Sequence, residues 1–141
     1  MVTHMAELIA DHRIQTHYRN IMKVRAIDEG HDWKFGFNQS DYKEFSEAVK
    51  QNVLTAILTV RGDWFLALEV GIDWVNYLGR SSNLQLLEAD LKSSVLNVDG
   101  VLRIDNISIE LEREKRKATI NIEYTDIYNN QNAVNANVRD Y

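Results

Sequence analysis

The clearest periodic pattern lies between residues 39 and 60, where apolar side chains recur at steps of three or four. Such spacing places them on one face of an α-helix. Ser40 or Asp41 is suited to cap this helix, and Asp41 with Glu44 has the spacing of a capping box. The predicted apolar stripe consists of Tyr42, Phe45, Val49, Val53, Ala56, Ile57 and Val60. We therefore expect an amphipathic helix that lies on a core with its other face in solvent.

A second helical pattern runs from residue 83 to residue 97. Its apolar stripe is formed by Leu84, Leu87, Leu91 and either Val95 or Leu96. The dipeptide Asp99-Gly100 follows directly and is typical of a helix stop.

Two alternating runs follow this second helix. Val101–Glu112 and Lys117–Tyr128 each alternate apolar with polar residues, and the short polar segment REKRK connects them. Alternation with period two indicates strands, and the short link predicts an antiparallel hairpin. In the second strand Ala118, Ile120, Ile122 and Tyr124 share one face.

The remaining segments carry weaker patterns. Residues 1–20 are compatible with a short amphipathic helix, and within 21–37 the tripeptide Asp28-Glu29-Gly30 indicates a turn between two short strands. The Asn-rich tail, residues 129–141, has few apolar side chains, so it is either loose or an arm ordered by a neighbouring molecule. We predict an α+β fold, in which two amphipathic helices pack on a small antiparallel sheet that ends in a hairpin. One domain is expected over residues 1–128.

The segment RGDWFLALEVGIDWVNYLG, residues 61–79, is dense in aromatic, acidic and glycine residues. Trp64, Phe65, Leu66 and Leu68 indicate a short apolar strand or turn. Gly62, Gly71 and Gly79 punctuate the segment, and glycine often stands where the backbone needs a positive φ or a close approach.

Composition narrows the classes of function. The chain has 141 residues, a net charge of −5 and no cysteine. Nucleic-acid binding requires a basic face. The one basic cluster, residues 113–117, is interrupted by Glu114, so we do not expect the chain to bind nucleic acid. No apolar run reaches the roughly 18 residues of a membrane span, and no secretory signal pattern is present, so we expect a soluble protein made in the cytoplasm.

Three carboxylates in the dense segment are candidates for glycoside hydrolysis. Two of the residues Asp63, Glu69 and Asp73 would need to lie about 5–5.5 Å or about 6.5–9.5 Å apart, depending on the mechanism. Glu69 and Asp73 on one extended strand would be about 13 Å apart, although a turn at Gly71 could bring them together. Turn capping or pairing with arginine is the competing interpretation, and we favour it.

Other catalytic and ligand-binding patterns are missing from the sequence. His4, His12, His17 and His31 lack the helical spacing of a zinc site, and no nucleophile-elbow or phosphate-loop motif occurs. We expect no metal and no cofactor. Trp33, Trp64 and Trp74 are interpreted as core or interface anchors rather than sugar platforms.

The order of these features resembles a known family. A long helix ends in LTVRGDWFLALEVGIDWVNYLG, and a second helix, a stop and a hairpin follow. This is similar to the baseplate wedge family of contractile phage tails, the GPW or tail-lysozyme-like proteins, whose members carry a stretch like L-x-T-x-x-G-E-W-F-L-D-P-E-Y-G-I-D-W…L-G. The resemblance covers about residues 25–125. The matching positions are Leu58, Thr59, Gly62, Trp64, Phe65, Leu66, Glu69, Gly71, Ile72, Asp73, Trp74, Leu78 and Gly79.

The sequence departs from this family pattern at three places. Asp63 replaces the usual Glu, and Ala67-Leu68 replaces Asp-Pro. Some members also carry a Glu-Pro-Arg triplet between the second helix and the hairpin, where this chain has residues 98–101 without proline. The partner contact of that arginine does not carry over, although Arg103 lies nearby.

The resemblance implies a structural role and no catalysis. It implies a fold similar to the C-terminal domain of sheath subunits and a place in the virion baseplate, in several copies around a sixfold tail. The implied partners are larger wedge subunits, the sheath protein and tube or hub proteins, without nucleic acid or membrane. The chain would join the wedge to the tube and sheath and template the first sheath ring by β-strand addition. A peptidoglycan-degrading tail lysozyme is the alternative.

The resemblance also suggests which residues act. Gly62, Gly71 and Gly79 would shape the loop. The residues expected to contact partners are Trp64, Phe65, Glu69, Gly71, Asp73, Trp74, Arg103, Ile120, Ile122 and Tyr124.

Overall fold

The computed structural model of the chain describes residues 22–36, 41–79 and 83–139. Within these ranges the strands are β1 (Lys23–Arg25), β2 (Tyr42–Glu44), β3 (Val101–Glu112), β4 (Lys117–Asp126) and β5 (Gln131–Val138). The helices are α1 (Phe45–Leu58), α2 (Trp74–Tyr77) and α3 (Leu84–Leu96), and a 3₁₀ turn spans Arg113–Lys115. The pattern at residues 1–20 lies outside the described residues.

A three-stranded antiparallel sheet of order β3-β4-β5 forms the C-terminal half. The predicted hairpin is confirmed, with Ile107 opposite Ile122 and Ile109 opposite Ile120. Arg116 adopts a left-handed conformation, φ 45°, where the connection enters β4. The inward side chains of β4 are fully buried, as the alternation predicted.

The tail forms a third strand of this sheet, so the expectation of a loose arm is wrong. β5 pairs with β4 along its whole length, and Val134, Ala136 and Val138 point into the core. The intervening residues face outward, where Asn137 accepts a hydrogen bond from the Thr119 hydroxyl at 3.1 Å. Every second residue supplies buried apolar surface, which is enough for a strand that pairs with an already ordered neighbour.

The carboxylate of Asp126 builds the turn that reverses the chain into β5. Its Oδ1 accepts from the backbone N–H groups of Tyr128 at 2.9 Å and Asn130 at 3.0 Å. Its Oδ2 accepts from the Asn132 amide at 2.9 Å. Asn129 completes the turn with φ 60°, a conformation that asparagine tolerates. The Asn-rich composition therefore reflects turn and outer-face positions.

Helix α1 is confirmed, but it begins later than predicted. Glu44 is the N-cap residue without a side-chain hydrogen bond, so the predicted capping box does not form. Tyr42–Glu44 instead pairs with β1, and the Phe45 N–H donates to the Met22 carbonyl at 3.1 Å. Backbone pairing satisfies these groups in place of a cap. Tyr42 and Phe45 consequently do not join the buried stripe, which consists of Ala48, Val49, Val53 and Ile57.

Helix α3 agrees closely with its prediction. The Asn83 side chain caps it by accepting from the N–H groups of Gln85 at 3.0 Å and Leu86 at 3.2 Å. Leu87, Leu91 and Val95 are buried, whereas Leu84 stays exposed. The helix ends at Leu96, and Gly100 has φ +95° beside the Val49 side chain.

The predicted turn near residue 28 is present, with the Asp28 carboxylate accepting from the Gly30 N–H at 2.8 Å. The two segments beside it form an isolated bridge between Ile27 and Trp33 rather than two paired strands, because β1 pairs with β2 instead.

The helices cover one face of the three-stranded sheet, α1 lying against β5 and α3 against β3. The core between these layers includes Ile57, Trp74, Leu87, Leu91, Ile120 and Ile122, all fully buried. The α+β architecture is as predicted. No helix in the described ranges is long and apolar enough to cross a membrane.

Candidate functional site

The segment between α1 and α2 is a loop with a closed base. Val60 and Ile72 form a parallel bridge, in which the Arg61 N–H donates to the Ile72 carbonyl at 2.9 Å. The Ile72 N–H donates to the Thr59 carbonyl, also at 2.9 Å. Gly71 makes this approach possible, because its φ is +102° and a Cβ there would lie 2.6 Å from the Thr59 carbonyl oxygen. The two ends of the loop are thus held together by backbone contacts.

The base is also fixed to the core. The fully buried Trp74 indole donates from Nε1 to the Ile57 carbonyl at 2.8 Å. Asp73 caps α2, and its Oδ2 accepts from the Asn76 amide at 2.6 Å. A buried aromatic ring with a satisfied N–H is a strong local anchor.

A polar cluster ties the base to α3. The Tyr77 hydroxyl donates to the Asp90 carboxylate, and the Arg61 guanidinium lies 3.6 Å from the same carboxylate. Burial, followed by the hydrogen bond to Asp90, raises the pKa of Tyr77 to about 12. The neutral phenol is therefore the form that the fold stabilises.

The tip of the loop has the opposite character from its base. Two successive turns form it, with the Ala67 N–H donating to the Trp64 carbonyl at 3.0 Å and the Val70 N–H to the Ala67 carbonyl at 3.1 Å. We call its exposed apolar side chains the apolar tip. They are Trp64, Phe65, Leu66, Leu68 and Val70, and each is between 53% and 80% exposed. Contiguous apolar exposure of this kind is unusual on a free surface, which makes the apolar tip a candidate interaction site.

The sequence-predicted site residues of this loop separate into two groups. Trp64, Phe65 and Glu69 lie on the exposed tip. Trp74 is buried, so its expected contact with a partner is wrong, and its role is to hold the base. Asp73 has its carboxylate engaged in capping.

The three glycines also differ. Gly62 has φ +89° in open space, whereas Gly71 combines positive φ with backbone crowding. At Gly79 a Cβ would stand 3.1 Å from the Asn76 carbonyl oxygen. All three positions thus have a backbone reason for glycine, as the loop-shaping prediction requires.

The predicted partner residues of the hairpin need a larger correction. Ile120, Ile122 and Tyr124 are fully buried beneath the helices of this chain, so their side chains cannot reach a partner. Arg103 is exposed, and its Nε donates to Asp105 at 2.8 Å. The hydrogen bonds from Arg103 and then from Thr125 lower the pKa of the Asp105 carboxyl.

The sheet presents two outer edges. β4 is paired on both sides, so the chain's own tail occupies one of the two hairpin edges to which a strand could add. β3 and β5 each pair with one strand of the described sheet. The inner-face residues of β3 are only partly buried, whereas those of β5 are buried. The inner-face residues of β3 are Ile104, Ile107, Ile109 and Leu111.

Sequence reasoning missed a groove beside β5. It has a volume of about 680 Å³ and lies between α1 and the turn at residue 28. Leu54, Leu58, Trp33 and Val134 contribute its apolar wall, and Lys43 and Glu47 stand among its charged residues. The alternation of valine and alanine from Val134 to Val138 was the signal that could have placed a strand there.

The carboxylates considered for hydrolysis do not share one environment. Asp63 and Glu69 are exposed, and Asp73 is a helix cap. Within the described ranges, no group of three or more His, Cys, Asp or Glu residues is arranged to hold a metal ion. His31 is exposed, and the other three histidines lie outside these ranges.

Comparison with known proteins gives matches to a family model and to solved structures. The family model for the contractile injection system sheath initiator matches residues 23–129. A crystal structure from Geobacter sulfurreducens, provisionally named a tail lysozyme, superposes with a TM-score of 0.56 at 12% identity, covering 77% of this chain and 97% of that one. At this identity the superposition shows a shared fold only. No curated protein sequence gives a significant match. The family match spans more than half of the chain and includes both the loop and the hairpin, so this protein belongs to the contractile injection system sheath initiator family.

Proposed function

We propose that the chain is a structural baseplate subunit that joins the wedge to the tube and sheath of a contractile tail and templates the first sheath ring. Family membership supports a structural role in sheath assembly. The observation that carries the finer proposal is the incomplete edge of the three-stranded sheet at β3. A strand from a sheath subunit would pair there.

Two properties favour β3 as the accepting edge. Its outer backbone groups face no further strand among the described residues, so an incoming strand gains hydrogen bonds at once. Its inner-face side chains, such as Ile107 and Ile109, are half-buried and would be covered further by that strand. In β5 the corresponding side chains are already fully buried, and less apolar surface remains to be gained.

The bulges in β3 confine this edge. The register shifts between Val101 and Arg103 and between Ile104 and Asn106, whereas Asn106–Glu112 is regular. Bulges interrupt pairing and protect a strand from indiscriminate association. The accepting segment is therefore residues 106–112.

The experiment is co-expression of the chain with the sheath and wedge proteins encoded beside it, followed by size-exclusion chromatography and electron microscopy. Ile109→Lys places a charge on the inner face of the regular segment, and Ser108→Lys places the same charge on the outer face. The first variant should lose sheath co-elution, and the second should keep it. Circular dichroism establishes that both are folded.

Wild-type-like sheath binding by Ile109→Lys would refute β3 as the edge. A wild-type chain that binds neither sheath nor wedge protein would overturn the structural assignment. We also propose that several copies of the chain lie in the virion baseplate around the sixfold tail, and that the chain is not an enzyme. Purified chain incubated with peptidoglycan should release no more fragments than Glu69→Gln does.

A further inference from the structure

The apolar tip has the properties of a preformed binding element. Its exposed side chains stand on a base closed by the bridge between Val60 and Ile72, and the buried Trp74 anchors that base. Association through an ordered loop avoids the entropy cost of ordering it. Tryptophan and other large aromatic side chains dominate the free energy of many interfaces, and Trp64 and Phe65 are 54% and 80% exposed.

Most of the charged residues around the apolar tip are acidic. Between residues 61 and 79, all of which the structure describes, the acids are Asp63, Glu69 and Asp73, and Arg61 is the single base. Arg61 is engaged inside the chain, with Nε donating to the Gly71 carbonyl at 3.3 Å and the guanidinium close to Asp90. Asp63 and Glu69 are exposed, and neither forms an ion pair with a described residue.

We propose that the apolar tip inserts into an apolar pocket rimmed by lysine or arginine on a different baseplate subunit. The apolar side chains would supply most of the binding free energy, and Asp63 and Glu69 would meet the basic rim. Complementary charge at a rim increases the association rate and selects the partner. This inference rests on the proposed function, because it takes the chain to be a subunit of a larger assembly.

A second copy of the chain fits this description poorly. Its basic cluster lies in the connection between β3 and β4, where the Lys115 amine is 2.7 Å from Glu112 and the Lys117 amine 3.9 Å from the same carboxylate. No large apolar side chain of residues 113–117 is available beside it, and the net charge of −5 opposes self-association. The groove beside β5 fits no better, because Asp28, Glu29 and Glu47 outnumber Lys43 and Lys50 in its lining, and Lys43 is paired with Glu47 at 3.0 Å. The proposed pocket is therefore on another protein.

The test uses the full chain and each purified wedge subunit encoded beside it, with affinity measured by biolayer interferometry at two salt concentrations. The double variant Trp64→Ala/Phe65→Ala should raise Kd by at least about 30-fold. Asp63→Asn/Glu69→Gln should slow association severalfold at low salt and reduce the salt dependence. Val75→Ala removes an equally exposed apolar side chain outside the tip and should leave Kd unchanged.

Two further measurements separate the outcomes. Ile109→Lys should bind the wedge subunit normally while losing the sheath protein, so a failure at the strand edge does not mimic a failure at the tip. Wild-type affinity of the Trp64→Ala/Phe65→Ala variant for every wedge subunit would overturn the tip proposal and leave the proposed function standing. A wild-type dimer that this variant abolishes would show that a second copy is the partner, and it too would overturn the proposal. Absence of any wild-type binding would overturn both.

Discussion

Substitution of Gly71 by alanine tests whether backbone crowding at the loop base holds the loop in place. Gly62 provides a matched control, since both glycines have positive φ, +102° and +89°, and only Gly71 is crowded. At Gly62 an added Cβ would have no atom within 4 Å. At Gly71 it would lie 2.6 Å from the Thr59 oxygen and 3.0 Å from the Arg61 nitrogen, two backbone atoms that close the base.

The two costs follow from these contacts. A left-handed conformation costs an L-residue about 1–2 kcal/mol. The lower entropy of the unfolded alanine chain offsets about 0.4–1 kcal/mol of this cost. Gly62→Ala should therefore lower the free energy of unfolding by about 1 kcal/mol. Relief of the clash at Gly71 requires the backbone to separate at the base, which costs about 1–3 kcal/mol more. We expect a difference of about 2 kcal/mol between the variants.

Urea unfolding followed by far-ultraviolet circular dichroism measures this difference. With a slope of about 2 kcal/mol per molar urea, the midpoint of Gly71→Ala should lie about 1 M below that of Gly62→Ala. Coincident midpoints would refute the reasoning, because they would show that positive φ alone matters at both sites. Near-ultraviolet circular dichroism should change in Gly71→Ala only, since the displaced base carries the buried Trp74.

Three further predictions concern the core and the tail. Asp126→Ala removes a fully buried carboxylate that accepts three hydrogen bonds in the turn before β5, and it should lower the free energy of unfolding in urea by about 2–4 kcal/mol. Asp99 is exposed, and Asp99→Ala should change this free energy by less than about 0.5 kcal/mol. Hydrogen exchange should also show lost protection in β5, and full protection would contradict the role of this turn. The pKa of Tyr77 is raised to about 12, so the stability that its neutral hydroxyl contributes is present below pH 10 and is lost as the pH rises from 10 to 12. The free energy of unfolding of Tyr77→Phe should therefore fall less steeply than that of the wild type over this range. Parallel curves for the two proteins would contradict this prediction. Trp74→Ala should lower the free energy of unfolding by about 3–5 kcal/mol, because it leaves a cavity and an unpaired Ile57 carbonyl. Trp64→Ala on the exposed tip should lower it by less than about 1 kcal/mol. Equal losses of stability would show that the side chains of the tip are packed.

The elements that local pattern predicted well are those whose stabilising contacts lie close in sequence. Helix α3 has its cap at Asn83, its apolar stripe at steps of three and four, and its stop at Gly100, all within one stretch of chain. The hairpin of β3 and β4 likewise joins neighbouring segments. In both cases the periodicity of burial and the terminating residues are properties of the sequence itself.

The start of α1 and the conformation of the C-terminal tail depend on segments that are distant in the sequence. Tyr42–Glu44 is a strand because β1, some 20 residues earlier, supplies its partner. The tail is a strand because it pairs with the edge of β4 that β3 leaves open, and because α1 covers its three small apolar side chains. Neither partner is visible in the local sequence, and the low apolar content of residues 129–141 favoured the wrong expectation.

The candidate site shows the same division most clearly. The sequence by itself determined that the segment from residue 61 to residue 79 is dense in aromatic and acidic residues, and its motif indicated the family that the comparison confirmed. Only the tertiary structure decided that Trp74 belongs to the core and Trp64 to the surface, although they are the same residue type ten positions apart. Whether a side chain is buried depends on the elements that pack over it, and for Trp74 the decisive contact is the Ile57 carbonyl of α1.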